Sequence, residues 1–305
     1  MSIQKKYYGS FVVASLVYII GTLIGPLSPN RFNLTPSKTH FLQLTIALPI
    51  VLIWAVAIYG AARFKIYTNK IKQHKDGMAL NQVAIGLTIL VASLMANGVF
   101  SVLRAWAFKN GWLPTYTILS NYLAVLLPLA AFIYMYLGST KLKKLARNND
   151  ASSASAWLIS GLVIVVVAAV YIKALYSYQY RTATPDPSRY SSFYMSDLLI
   201  LLTLILPYLI SWWLGIKACL NIWSYQRDVK GLIYRQSLMR LVVGVLVAVS
   251  FSVILQLLVA SSTLIAKAGL GSILIILYLL ILLYALSYLI IASGARRLDA
   301  IEKVQ

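Results

Sequence analysis

"YGAARFK" (59–65) closes an apolar run and opens a basic one: a glycine, two alanines, then Arg63 and Lys65. The same junction returns as "LGSTKLK" (137–143), "LGIKAC" (214–219) and "SGARRL" (293–298). Its glycines, Gly60, Gly138, Gly215 and Gly294, stand 78, 77 and 79 residues apart. Each junction ends an apolar block of about 18–25 residues, the length a helix needs to cross a ~30 Å hydrocarbon core. It therefore reads as the exit of a membrane-spanning helix, with bases that hold the end at the headgroup level.

Working outward from these exits, the chain divides into eight apolar blocks, roughly 8–25, 41–62, 79–103, 116–138, 155–176, 196–217, 238–260 and 271–293. Of its 305 residues, 60% are hydrophobic and only 11% charged, a composition outside the range of soluble domains. The expected fold is an all-α polytopic membrane bundle of eight transmembrane helices, forming one membrane domain over 1–305. No connection is long enough for a soluble domain. "FVVASLVYIIGTLIG" (11–25) follows Lys5 and Lys6 as in a signal peptide, but no small-residue cleavage site follows it. It reads as the first span.

The net charge of +20 does not point to nucleic acid, because the bases sit in short connections and not on one soluble face. It points to topology. With the N-terminus inside, the five inner segments carry 2, 5, 4, 5 and 3 bases and the four outer ones 2, 2, 3 and 1. The positive-inside bias places both termini in the cytoplasm, in a plasma or cytoplasmic membrane.

A second marker runs in phase with the glycines. Pro49, Pro128 and Pro207 fall mid-helix in spans 2, 4 and 6, at spacings of 79 and 79, while Leu286 stands at the fourth position. Asp76, Asp150 and Asp228 each precede an odd-numbered span, where a carboxylate favours a helix N-terminus. "DGMALNQ" (76–82) and "KGLIYRQ" (230–236) align on Gly and Gln. These markers give four tandem, like-oriented helical hairpins of ~78 residues, 1–76, 77–150, 151–230 and 231–305, related by an axis along the membrane normal. Duplication or shared architectural constraint would each produce this spacing. The prolines mark helix kinks near the bilayer midplane, read either as hinges or as bends fixed by packing.

The seven carboxylates lie in loops, in the tail or, for Asp197, at the outer mouth of span 6. None stands at mid-membrane, which argues against a proton relay or an aspartyl pair. His40 and His74 fall on opposite sides of the membrane, and Cys219 is the one cysteine, so neither a metal site nor an intrachain disulfide is expected. No phosphate-binding loop or catalytic pairing stands out, so no enzyme and no cofactor is expected. Polar residues gather toward the outer third: Asn97, Asn121, Lys173, Asp197 and Gln256. They form either an outward vestibule, with Lys173 and Asp197 paired, or local helix–helix hydrogen bonds with Lys173 reaching for the interface.

At the inner edge, "RFKIYTNKIKQHKD" (63–76) and "KACLNIWSYQRDVKGLIYRQ" (217–236) mix bases with aromatic and aliphatic residues. They read as helical extensions of spans 2 and 6, suited to anionic lipid or to simple anchoring. The expected partners are the bilayer, anionic lipid at the cytoplasmic face, and a membrane-protein partner or a second copy. Two functions follow. One is a non-catalytic subunit or scaffold of a membrane assembly, favoured by the apolar spans. The other is an uncoupled transporter or channel for a lipidic or weakly polar substrate, favoured by the repeat and the prolines.

Overall fold

A computed structural model of the chain describes residues 3–24, 36–109, 113–145, 206–228, 232–260 and 270–302. Among them are seven helices and no strand: α1 (Ile3–Ile24), α2 (Pro36–Lys70), α3 (Lys75–Lys109), α4 (Leu113–Leu145), α5 (Leu206–Asp228), α6 (Leu232–Ala260) and α7 (Leu270–Glu302). The fifth expected span lies outside the described residues. Three segments are long and apolar enough to cross a membrane, Ala47–Lys70, Lys75–Phe100 and Ile281–Ala300. Among the described residues the protein is all-helical, with three helices suited to a membrane.

The helices outrun their apolar blocks. α2 has 35 residues, about 50 Å at 1.5 Å per residue, and continues past its glycine through Arg63 to Lys70. α5 likewise continues to Asp228. Each carries a base in its last turn, Lys70 and Arg227, which favours the carbonyl end of a helix. The turn from α2 to α3 takes only residues 71–74. The His74 N–H donates to the Ile71 carbonyl at 3.0 Å, and Asp76 Oδ1 accepts from the Gly77 N–H at 2.9 Å. Gly77 has to be glycine: a Cβ there would lie 1.7 Å from the Ile71 carbonyl oxygen.

α2 to α7 pack each against the next, and α7 packs back against α2. Among the described residues these six helices close a ring. α1 leans on the outside of α2 and α3. Tyr7 hydrogen-bonds Thr88 at 2.8 Å, and the Tyr18 ring meets Trp54 at 5.0 Å. Its outer face (Val12, Val13, Leu16, Ile20) is exposed, as are Leu48 and Leu52 of α2 and Leu279, Leu282 and Leu286 of α7. In a bilayer such faces meet lipid, so burial of apolar area does not select which helices pair. Close van der Waals fit does, and small residues permit it.

Glycine sets that fit. A Cβ on Gly138 of α4 would lie 2.6 Å from the Ala79 carbonyl oxygen of α3, and one on Gly86 of α3 would lie 2.5 Å from the Ala131 carbonyl oxygen of α4. α6 and α7 repeat the arrangement: a Cβ on Gly294 would lie 2.9 Å from the Ser237 carbonyl oxygen, and one on Gly244 would lie 2.8 Å from that of Ser287. The paired positions differ by 158 residues between α3 and α6 (79 and 237, 86 and 244) and by 156 between α4 and α7 (131 and 287, 138 and 294). Burial follows the same shift. Leu80, Val83, Ala84 and Leu87 are buried, and so are Leu238, Leu241, Val242 and Val245. At the same 158 residues α2 matches α5 in sequence, at Pro49 and Pro207, Trp54 and Trp212, and Tyr67 and Tyr225.

Candidate functional site at the basic end of the bundle

The α2–α3 turn, the C-terminal ends of α4, α5 and α7 and the N-terminal end of α6 share one end of the ring, where the bases concentrate. Its middle is bridged by a tyrosine–aspartate cluster. The Tyr225 hydroxyl of α5 donates to Asp76 Oδ2 of α3 at 3.5 Å. Tyr234 of α6 hydrogen-bonds Tyr67 of α2 and Tyr225. The Tyr225–Asp76 and Tyr234–Tyr67 pairs join helices that are not neighbours in the ring. Tyr67 and Tyr225, and likewise Asp76 and Tyr234, stand 158 residues apart, so the cluster consists of equivalent positions brought face to face. Burial, then Tyr67 and Asp76, push the Tyr234 phenol well above its ordinary value. Burial, then Tyr234 and Asp76, do the same for Tyr225. Both are neutral hydrogen-bonding groups at physiological pH.

Other polar groups pair across adjacent helices. Lys65 Nζ donates to Asn81 Oδ1 at 2.6 Å, and the Thr68 hydroxyl to the same oxygen at 3.3 Å. Arg240 reaches the Ser293 hydroxyl at 3.3 Å. Between α4 and α5, the Asn221 amide donates to Ser139 Oγ at 3.3 Å and Thr140 Oγ1 at 3.5 Å. Between α2 and α7 the chemistry is cationic. Arg63 and Arg296 lie 5.4 and 5.1 Å from the centre of the Tyr59 ring, and Arg296 also hydrogen-bonds the Tyr59 hydroxyl. One turn further out, Lys70 forms an ion pair with Asp299.

Of the residues expected to form an outer cluster, Asn97 is exposed on α3. Asn121 lies in α4 and Gln256 in α6, but their side chains fall outside the described residues, as do Lys173 and Asp197 altogether. Helices α2 and α4 run unbroken through Pro49 and Pro128. Pro207 is the second residue of α5 as described. Gly60, Gly138, Gly215 and Gly294 are all buried. Among the described residues no group of three or more His, Cys, Asp or Glu side chains is arranged to hold a metal ion.

The chain matches no protein-family model, no curated protein and no solved structure. Its function rests on its own geometry. Sequence reasoning missed the tyrosine–aspartate cluster and the Arg63–Tyr59–Arg296 grouping. The signal for the first was present, in the 158-residue shift that superimposes Tyr67 on Tyr225.

Proposed function

We propose that the protein is a non-catalytic scaffold subunit of a membrane assembly. It is built from eight spans with both termini in the cytoplasm. Its hairpins pair into two halves, about 1–150 and 151–305, related by an axis along the membrane normal. In this reading the ~78-residue hairpin is the smaller unit and the half, two hairpins long, is the unit of packing.

The observation that carries the scaffold reading is the closure of the ring at its basic end. Asp76, Tyr225, Tyr234 and Tyr67 hydrogen-bond across the middle, joining helices that the ring keeps apart. Around them the polar groups pair locally, and glycine-to-carbonyl contacts lock neighbouring helices. Such an interior offers rigid outward faces.

Purification of the tagged full-length chain from its native membrane in mild detergent tests this. A stable partner in fixed stoichiometry is expected, while a lone monomer through every wash would contradict it. A second reading, an uncoupled transporter or channel, draws on the same ring, because six helices surround an axis that the cluster would gate. Purified protein in vesicles that conducts solute only after Tyr225→Ala and Tyr234→Ala would favour it over the scaffold.

A further inference from the structure

The Arg63–Tyr59–Arg296 grouping has a counterpart that shows what its position requires. Shifted by 158 and 156 residues, Tyr59, Arg63 and Arg296 become Lys217, Asn221 and Thr140. At that second contact Asn221 donates to Thr140, and the helices pack with a neutral hydrogen bond. Packing at this depth therefore needs no arginine. Yet α2 and α7 bring two guanidinium groups to one tyrosine ring. Among the described residues no carboxylate bonds either of them, and the nearby Asp299 is held by Lys70. Arg296 is exposed and Arg63 half-buried, so an anion from outside reaches both. The ring offsets part of their mutual repulsion through its π face. Planar guanidinium forks match phosphate oxygens better than point charges do.

We propose that Arg63, Tyr59 and Arg296 form a binding site for the phosphate of an anionic phospholipid headgroup. The site lies about one turn beyond Gly60, where α2 leaves the apolar block that its glycine closes. That is the level at which headgroup phosphates lie. The proposal rests on membrane embedding and not on the scaffold role.

The test uses the full-length protein exchanged into micelles holding equal phosphatidylglycerol and phosphatidylcholine, with retained lipid quantified by mass spectrometry. The variant R63N/R296T installs the chemistry of the equivalent contact, so its helices keep a way to pack. It is expected to retain phosphatidylglycerol about tenfold to thirtyfold less than the parent, the combined effect of two interfacial arginines. The control K141Q/K144Q removes equal charge from the exposed end of α4 and is expected to change retention less than about threefold. R63K/R296K, which keeps the charge and the fold but loses the forks, is expected to bind about threefold more weakly. Equal retention by R63N/R296T and the parent would overturn the proposal. So would equal loss in the control, or full displacement of the lipid by millimolar inorganic phosphate, which would mark a free-phosphate site. Failure of membrane embedding itself would appear separately, as loss of phosphatidylcholine retention by the parent.

Discussion

Two contacts of the ring, α4 with α5 and α7 with α2, stand at positions related by the 158- and 156-residue shifts and use different chemistry. The first packs through neutral hydrogen bonds, Asn221 to Ser139 and Thr140 in a buried setting, with Lys217 and Lys143 beside them. The second is cationic and open, with Arg63 and Arg296 around Tyr59. The backbone fit differs as well. Gly60 lets the Tyr288 carbonyl approach to 2.7 Å from where a Cβ would stand. Ala218 fills the position 158 residues on, and Phe132 stands 156 residues before Tyr288, both fully buried. Equivalent geometry thus tolerates a glycine or an alanine, and a charge or an amide. What differs between the contacts is specific to each, and what they share is the architecture.

The largest effect that would separate them is steric. Gly60→Val drives a branched side chain into a backbone carbonyl, which side-chain rotation cannot relieve. Overpacking of this kind costs about 3 kcal/mol, and thermal melting in detergent should fall by about 6 °C or more. Ala218→Val, at a site that already holds a Cβ, should cost about 1 kcal/mol. Equal losses would break the equivalence of the two contacts. A smaller effect is expected from Asn221→Leu. The Ser139 and Thr140 hydroxyls keep their own bonds to the Tyr136 carbonyl, each at 2.8 Å, so little is left unsatisfied. Its cost should be about 0.6 kcal/mol, the ordinary value of a side-chain hydrogen bond between membrane helices. A loss beyond about 2 kcal/mol in the same melting assay would mean that the amide carries the neutral contact.

The helical class, the apolar segments and the basic extensions of α2 and α5 were legible because length, hydropathy and charge report directly on them. The order of the ring was not. In lipid both faces of a helix are apolar, so periodicity does not single out the face that meets a neighbour. Selection lies in shape, in a glycine against a carbonyl, which leaves only a faint trace in composition. Reading Gly215 as the partner of Gly60 illustrates this. The 158-residue shift that superimposes the tryptophans and prolines places Ala218 opposite Gly60 and Gly215 opposite Ala57, one turn away. The even spacing of the glycines and the 158-residue shift therefore differ in register by one turn. The Arg63–Tyr59–Arg296 site was harder still, since Tyr59 and Arg296 lie 237 residues apart and meet only because the ring closes.

Ring closure therefore carries both proposals, and cross-linking tests it most directly. In a background with Cys219→Ser, the pair Lys70→Cys and Asp299→Cys replaces the ion pair that joins α2 to α7. A short bifunctional thiol reagent, applied to the protein in its membrane, should link the two cysteines within one chain at high yield. Protease cleavage between the halves would then leave the fragments joined. Fragments that separate after treatment, or links that form only between chains, would contradict the closed ring.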